Sequence, residues 1–376
     1  MISVVVGQPE AAMISPFEAL RQRAGANAFM HPAALLAAST LGVAQIHVLR
    51  AFDDADGKLV GFWALRERRV GALWPRFLAS PPYQYCFVSN PVLDPACADA
   101  VMPAFLDAIA QHADLPKVIQ LKTLDGNAES YTALTNAIHA RRGQMLTLSE
   151  TQRPFLGSEA DRKRSGSTGK KLRQDWNKLA SLGAVDIANA REAGDVRAAF
   201  EVFLAMEAKS WKGANGTALL SDEDDAEFTR HLIGNLGDHR AASVALLRVD
   251  GNPIAAQVLL YSGDMAYTWK IAFDNEYAKY SPGALLIDKL TDELFAAGIR
   301  QIESCSIEGS FMANLWTGRR KTLDLLVDVG AQKSLGFTVA ALGERGYAFA
   351  RDMRDRLRAA RVLHAPNKKP LAATKA

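Results

Sequence analysis

The sequence predicts an α+β fold, and three observations carry that reading. Residues 242–273 follow a period of two, interrupted at Asp250-Gly251 and at Ser262-Gly263-Asp264, which makes three antiparallel strands joined by tight turns. Amphipathic helical stretches flank this block, DVRAAFEVFLAMEAKSW before it and GALLIDKLTDELFAAG after it. The strand IRQIESCSI follows the second helix, so the last strand–helix–strand crossover is expected to run parallel.

The first half reads as mixed α/β. AQIHVLRAF and LVGFWALRER are strands joined by the turn-rich DDADGK, where Asp56-Gly57 signals a hairpin. Beyond PPYQYCFVSNPV, the stretch ADAVMPAFLDAIAQHA sets Val101, Phe105 and Ile109 on one helical face. KVIQLKTL is a further strand, and YTALTNAIHARRG a further helix closed by Gly143. TLSETQRPFLGSEADRKRSGSTG then loses apolar periodicity and gains Pro154, Gly157, Gly166 and Gly169, as a connection between two units does. In the second half, KKLRQDWNKLASLG puts Leu172, Trp176 and Leu179 on one face, with Gly183 as a C-terminal cap. AVDIANA is a short strand. The long helix that follows has Asp195 as its N-cap candidate, and the glycine-containing KGANGTALLSDED leads to another helix, DAEFTRHLIGNLG. Residues 336–376 read as a basic helical tail with a disordered end.

With 376 residues, 49% of them apolar, the chain can bury a large core and is expected to form two domains. A net charge of +3 does not support general electrostatic binding to nucleic acid, so no DNA partner is expected. Cys86, Cys97 and Cys305 lie far apart, which argues against a disulfide framework or a cysteine zinc site and for a reducing compartment. The seven histidines form no H-x-x-x-H or H-E-x-x-H pattern, so no metal is expected. MISVVVGQPEAAMIS lacks the pattern of a signal peptide, and no run reaches membrane-spanning length. The expectation is a soluble, cytoplasmic protein without a transmembrane segment.

Two stretches are candidates for holding an anionic ligand. RSGSTGKKLR, residues 164–173, offers glycines, hydroxyl residues and a lysine pair before a helical run. A Walker-type loop needs four residues between its glycines and a hydroxyl after its lysine; here only two separate Gly166 from Gly169, and Lys171 follows Lys170. The stretch is therefore read as a flexible basic lead-in to the second domain, whose lysines do not cradle the ligand. In KYSPGALL, Ser281 suits an N-cap, Pro282 suits the first helical position, and Gly283 removes a side chain where a ligand could approach the backbone. Free N–H groups at the positive helix end make an anion site. The alternative is that Ser-Pro-Gly merely caps a helix.

The order strand, hairpin, strand, Y-x-K-Y-S-P-G-A-L-L, helix, strand resembles the acyl-CoA half of the GNAT acyltransferase superfamily. Across about residues 160–330, the stretches RKRSGSTGKKLRQDWNKLASLG, AKSWKGANGTAL, AAQVLLYSGDMAYTWKIAFD, YSPGALLI and IESCSIEGSFMANLW resemble its CelD-type branch. These are N-acyltransferase-like proteins associated with polysaccharide biosynthesis and related to the Fem-type aminoacyl transferases. The resemblance implies tandem GNAT-like domains, each a mixed central sheet flanked by helices. It divides the chain into a degenerate N-terminal unit at 1–157, an acyltransferase domain at 158–335 and the tail at 336–376. It implies an acyl-CoA co-substrate, acetyl-CoA first, and acylation of an amine or hydroxyl on a small molecule or sugar precursor.

The same resemblance assigns the phosphate loop, and the chemistry of acyl transfer nominates the other candidates. Lys279, Tyr280, Ser281, Pro282, Gly283 and Ala284 stand where the family has a Q/R-x-x-G-x-G/A loop for the CoA pyrophosphate. Glu303, on the strand that would flank the opening opposite the thioester, is the candidate general base, with Glu308 as the alternate. The other reading of Glu303 is a solvent-facing strand carboxylate. Trp211, Lys212, Trp269 and Lys270 are candidates for the acceptor side, against Trp211 as a hydrophobic anchor and Lys270 as ordinary surface alternation. Arg319 and Arg320, after Trp316, meet either the 3′-phosphate of CoA or an acidic acceptor, or form a solvated basic turn. Many relatives carry an aspartate in the last strand and a Tyr-Lys pair after it, where this chain has Glu303 and Phe311-Met312. Two rival functions follow: a Fem-type transferase using charged tRNA, favoured by a long inserted helical hairpin and a broad basic surface, and an inactive scaffold in polysaccharide synthesis.

Overall fold

Turn chemistry places the first strands. β1 (Ile2–Gly7), β2 (Ile46–Asp53) and β3 (Leu59–Arg68) form an antiparallel meander, and Gly57, at φ +70°, makes the expected β2–β3 hairpin turn. The computed structural model in which they are seen describes residues 1–25, 27–69, 76–163, 166–330, 333–346 and 353–354. β4 (Phe77–Ser80) and β5 (Val92–Leu93) both pair antiparallel with β3, and β6 (Val118–Asp125) lies parallel to β4. Helices α1 (Ile14–Arg21), α2 (Pro32–Thr40), α3 (Ala98–Gln111) and α4 (Glu129–Ala140) flank this half.

The stretch read as an irregular connection contains a strand and a helix. β7 (Gln144–Leu156) is 13 residues long, and only Pro154 and Leu156 in it are buried, which is why it shows no hydrophobic alternation. Pairing on both edges defines it instead. α5 (Gly166–Ala180) then starts inside RSGSTGKKLR, so from Gly166 onward that stretch is helical and not a flexible lead-in.

β8 (Val185–Ala190) leads to α6 (Ala193–Lys209), the short α7 (Trp211–Ala214) and α8 (Glu223–Asp238). The N-cap position of α6 is Glu192; Asp195 stands in its first turn, where its charge still favours the helix end. β9 (Ala242–Val249), β10 (Asn252–Ser262) and β11 (Met265–Phe273) form the expected antiparallel meander. Asp250 and Gly251, at φ +49° and +78°, make the first of its turns. α9 (Pro282–Ala296) follows, and Leu286, Leu290 and Leu294 form its buried stripe. β12 (Gln301–Glu303) pairs parallel with β11, as the crossover rule requires. After α10 (Met312–Leu315), β13 (Arg319–Asp328) returns to lie between β6 and β7, antiparallel to both.

Among the described residues one mixed sheet therefore runs β1-β2-β3-β4-β6-β13-β7-β12-β11-β10-β9-β8, with helices on its faces. A single core joins the halves: Phe29 and Phe62 belong to the same buried cluster as Phe203, Val258 and Tyr267. The other face of the second half is a separate cluster, in which Leu172 and Leu179 of α5 pack with the α9 stripe, Ile302 and Trp316. Residues 335–346 are helical, and Phe337 and Ala341 pack against Val118 and Leu326. The rest of the expected tail, apart from 353–354, lies outside the described residues. No described helix is long and apolar enough to cross a membrane.

Candidate functional site

The site begins where β11 and β12 part. Their parallel pairing covers only Met265↔Gln301, Ala266↔Ile302 and Tyr267↔Glu303. One residue further, the Thr268 hydroxyl donates to the carbonyls of Glu303 (3.3 Å) and Ser304 (3.0 Å). On the opposite edge of β11, Lys270 faces Val258 and Thr268 faces Leu259, which leaves Trp269 as the extra residue of a β-bulge. A bulge bends its strand and increases the twist. Here it lies where β11 runs on to Phe273 without β12 beside it.

The continuation of β11 leads to the start of α9. Ser281 takes a left-handed backbone, φ +53°, and its side chain caps no backbone N–H, contrary to the expected role. Its hydroxyl instead accepts a hydrogen bond from Lys171 Nζ at 2.9 Å. Lys171 comes from the first turns of α5 and also engages the Asp175 carboxylate. A cavity of about 310 Å³ is bounded by Ser167, Thr168 and Lys171 of α5, Ser281 and Ala284 of α9, and Phe311. The N-terminal N–H groups of a helix have no acceptor within it. Two helix ends and an ammonium thus meet at one opening, and each favours an anion. The two stretches weighed separately in the sequence belong to one place, and a lysine of the first does reach it. Gly283 has a further reason to lack a side chain: a Cβ would stand 3.2 Å from Ile271 Cδ1 of β11. Lys279 and Tyr280 complete the turn before α9, the lysine over the tyrosine ring at 5.0 Å.

The other face of the bulge carries a buried charge cluster. Glu207 of α6 is fully buried; its Oε1 accepts from Lys212 Nζ at 2.9 Å and its Oε2 from the Leu219 N–H at 2.9 Å. Lys212 Nζ also donates to the Ile271 carbonyl at 2.9 Å, which ties α7 to β11. Lys270 Nζ lies 3.7 Å from Glu207 Oε1 and 4.5 Å from the centre of the Tyr85 ring. Burial lowers the pKa of Lys270 below the usual lysine value, and the Glu207 charge only partly opposes this. Tyr85 crosses from the first half: its hydroxyl donates to the Asp225 carboxylate, its carbonyl accepts from Trp269 Nε1 at 2.8 Å, and burial raises its pKa. Trp211 is 55% exposed at the start of α7, so it is no hydrophobic anchor. The glycine of S-W-K-G is a packing requirement, since a Cβ on Gly213 would stand 1.8 Å from the Ala208 carbonyl oxygen.

Glu303 is fully buried, not solvent-facing. Its Oε2 pairs with Arg320 Nη1 at 3.1 Å, and its Oε1 accepts from the Cys305 N–H at 3.2 Å. Burial raises its pKa, while Arg320 and Arg153 pull it back. Arg320 also meets Asp125 at 3.2 Å and lies 3.9 Å from the centre of the Phe155 ring, so it forms neither a phosphate contact nor a solvated turn. It fastens β12 to β13 and the first half. Glu308 pairs with Arg319 at 2.7 Å.

The sequence sets Lys171 apart from the ligand, and it gives Tyr85, Glu207 and Asp225 no role. Glu207 had a visible signal: Val196, Phe200, Phe203 and Glu207 follow one helical stripe, and a carboxylate on an apolar stripe calls for a buried partner. Tyr85 had none, because its partners are far away in the chain. No group of three or more potential metal-ligating side chains occurs among the described residues.

Residues 166–307 match the family model of an acetyltransferase (GNAT) domain, which spans α5 to the segment after β12. Among solved structures, FemX superposes with a TM-score of 0.61 and 10% identity over 90% of this chain and 100% of its own. L-PGS from Bacillus licheniformis gives 0.54 and 13% over 90% of this chain and 97% of its own. The C-terminal domain of a protein assigned as a lysylphosphatidylglycerol synthetase, from Agrobacterium fabrum, gives 0.56 and 14% over 89% and 96%. At these identities the likeness is one of fold. No curated protein matches the sequence.

Proposed function

We propose that this chain is an acyl-CoA-dependent acyltransferase of the CelD-type branch, taking acetyl-CoA and acylating an amine or hydroxyl of a small molecule or sugar precursor. The observation that carries this reading is the opening where the ends of α5 and α9 meet, both helices lying inside the segment that matches the GNAT domain, in which β11 and β12 also part. The donor pyrophosphate lies at the two helix ends with Lys171, and its pantetheine arm follows the gap along β11. The thioester then reaches the bulge at Trp269, where the interrupted ladder leaves backbone amides for the developing oxyanion. The acceptor enters from the side of Trp211, Lys212 and Lys270. Its nitrogen or oxygen bonds to the acyl carbon, the C–S bond breaks, and the CoA sulfur leaves as a thiolate that takes up a proton. Lys270 Nζ, 3.7 Å from Glu207 Oε1, is the charged group that orients the acceptor, and the proton the acceptor loses is the one the leaving thiolate takes up. Glu303 and Glu308, both held by arginines, position the segment after β12 in this reading.

The likeness to FemX over nearly the whole chain favours a second donor, an aminoacyl group on charged tRNA. Calorimetric titration separates the two. Acetyl-CoA is expected to bind, and Lys171→Glu to weaken it tenfold or more, about 1.4 kcal/mol. Absence of binding by any acyl-CoA at saturating concentration, with transfer from aminoacyl-tRNA, would refute the first donor.

A further inference from the structure

The phosphate end of the opening continues into a second cavity. α5 and α9 lie side by side with their N-termini at the same end, where Lys171 meets Ser281. From Ser281 to Lys289 the rise along α9 is about 12 Å. Over that length the two helices enclose a groove of about 320 Å³, floored by Leu172 and Leu285 and walled by Arg173 and Trp176 on one side and Lys289 on the other. Leu172 also bounds the cavity at the helix ends, so the two spaces adjoin.

The chemistry of this groove is specific. Trp176 is half-buried, and Lys289 Nζ lies over its ring 5.1 Å from the centre. An aromatic ring at the edge of a cavity, with a lysine over its face, is a stacking platform for a base, and such stacking outweighs an exposed cation–π contact. The acidic side chains in the wall are already engaged: Arg162 donates to Asp288 at 2.8 Å and also binds the Asp292 carboxylate. Arg173, Lys289 and the neighbouring Lys163 supply positive charge at the same groove. A planar base and a phosphate monoester, about a nucleotide's length from a pyrophosphate, satisfy all of these features together.

We infer that the α5–α9 groove binds the 3′-phosphoadenosine end of the donor, with the adenine on Trp176 and the 3′-phosphate at Lys289 and Arg173. This inference rests on the acyl-CoA reading above. In it, α5 makes the donor site selective for a nucleotide-bearing thioester over a shorter phosphopantetheine carrier.

The test measures dissociation constants of CoA, dephospho-CoA and 4′-phosphopantetheine for the full chain and for Trp176→Ala, Trp176→Phe and Lys289→Glu. In the wild type, CoA is expected to bind at least tenfold tighter than 4′-phosphopantetheine. Trp176→Ala should abolish that preference and Trp176→Phe retain most of it, which separates stacking from loss of fold. Lys289→Glu, on an exposed position, should bring CoA and dephospho-CoA to equal affinity. If CoA binds but these ratios are unchanged in all three variants, the groove is not the nucleotide site, while the acyl-CoA reading stands. If the wild-type chain binds 4′-phosphopantetheine as tightly as CoA, the inference is likewise overturned. If it binds no CoA species at all, both readings fall.

Discussion

Replacing Glu207 by alanine tests the buried charge cluster most severely. The carboxylate is fully buried, with Lys212 Nζ at 2.9 Å, the Leu219 N–H at 2.9 Å and Lys270 Nζ at 3.7 Å. Its loss strands two ammonium groups whose side chains are only 22% and 14% exposed, and a buried backbone N–H. Removing one partner of a buried pair costs about 3–5 kcal/mol because the other charge stays behind uncompensated. A buried donor left without an acceptor adds about 1–3 kcal/mol. Lys212, the more exposed lysine, can turn toward water, so the expected total is about 4 kcal/mol, a large share of a typical domain's stability. Lys212→Met should cost about 1–2 kcal/mol, since Lys270 remains as counter-charge. Equilibrium urea unfolding followed by far-UV circular dichroism measures both. The cycle combining Glu207→Gln with Lys212→Met should show a coupling of about 1–3 kcal/mol. A loss below about 1 kcal/mol for Glu207→Ala would refute the idea that this carboxylate neutralises the cluster.

Two further predictions concern packing and protonation. Gly213→Ala should destabilise by about 1–3 kcal/mol, because the new Cβ meets backbone 1.8 Å away, whereas Gly194→Ala, with nothing within 4 Å, should be neutral or stabilise by about 0.4–1 kcal/mol. Equal unfolding midpoints for the two variants would contradict the packing argument. Lys270 has a folded-state pKa below its usual 10.5, so the folded chain gives up that proton at lower pH than the unfolded chain does. The penalty is complete below the folded-state pKa and fades as pH rises toward 10.5, so stability should increase with pH across that window. Lys270→Met should flatten the increase; identical slopes in the two proteins would assign it to other groups.

Local chemistry was legible in the sequence and pairing across the chain was not. Gly57, and Asp250 with Gly251, take the left-handed backbone that their hairpin turns require, and both turns are found. The parallel β11–β12 crossover follows from chain handedness. Ser281 stands at the helix start, as expected, but it bonds to Lys171, 110 residues away, which no local pattern reveals. β7 left no trace in hydrophobicity, since most of its side chains stay accessible and its partners define it. The position of Glu303 could be guessed from its strand, but not its burial, which depends on Arg320 arriving on β13.

The return of β13 has a consequence for the order in which the protein can be completed. Synthesis delivers residues 319–328 after every other strand of the sheet, yet they fill the space between β6 and β7. Until they emerge, those two strands each expose an edge with unsatisfied N–H and C=O groups, the kind of edge that pairs with other chains. The strands of the first half, continuous from β1 to β6, are therefore joined to β7 and the second half only when β13 arrives. A nascent chain stalled before Arg319 is a sticky intermediate that needs protection until translation resumes.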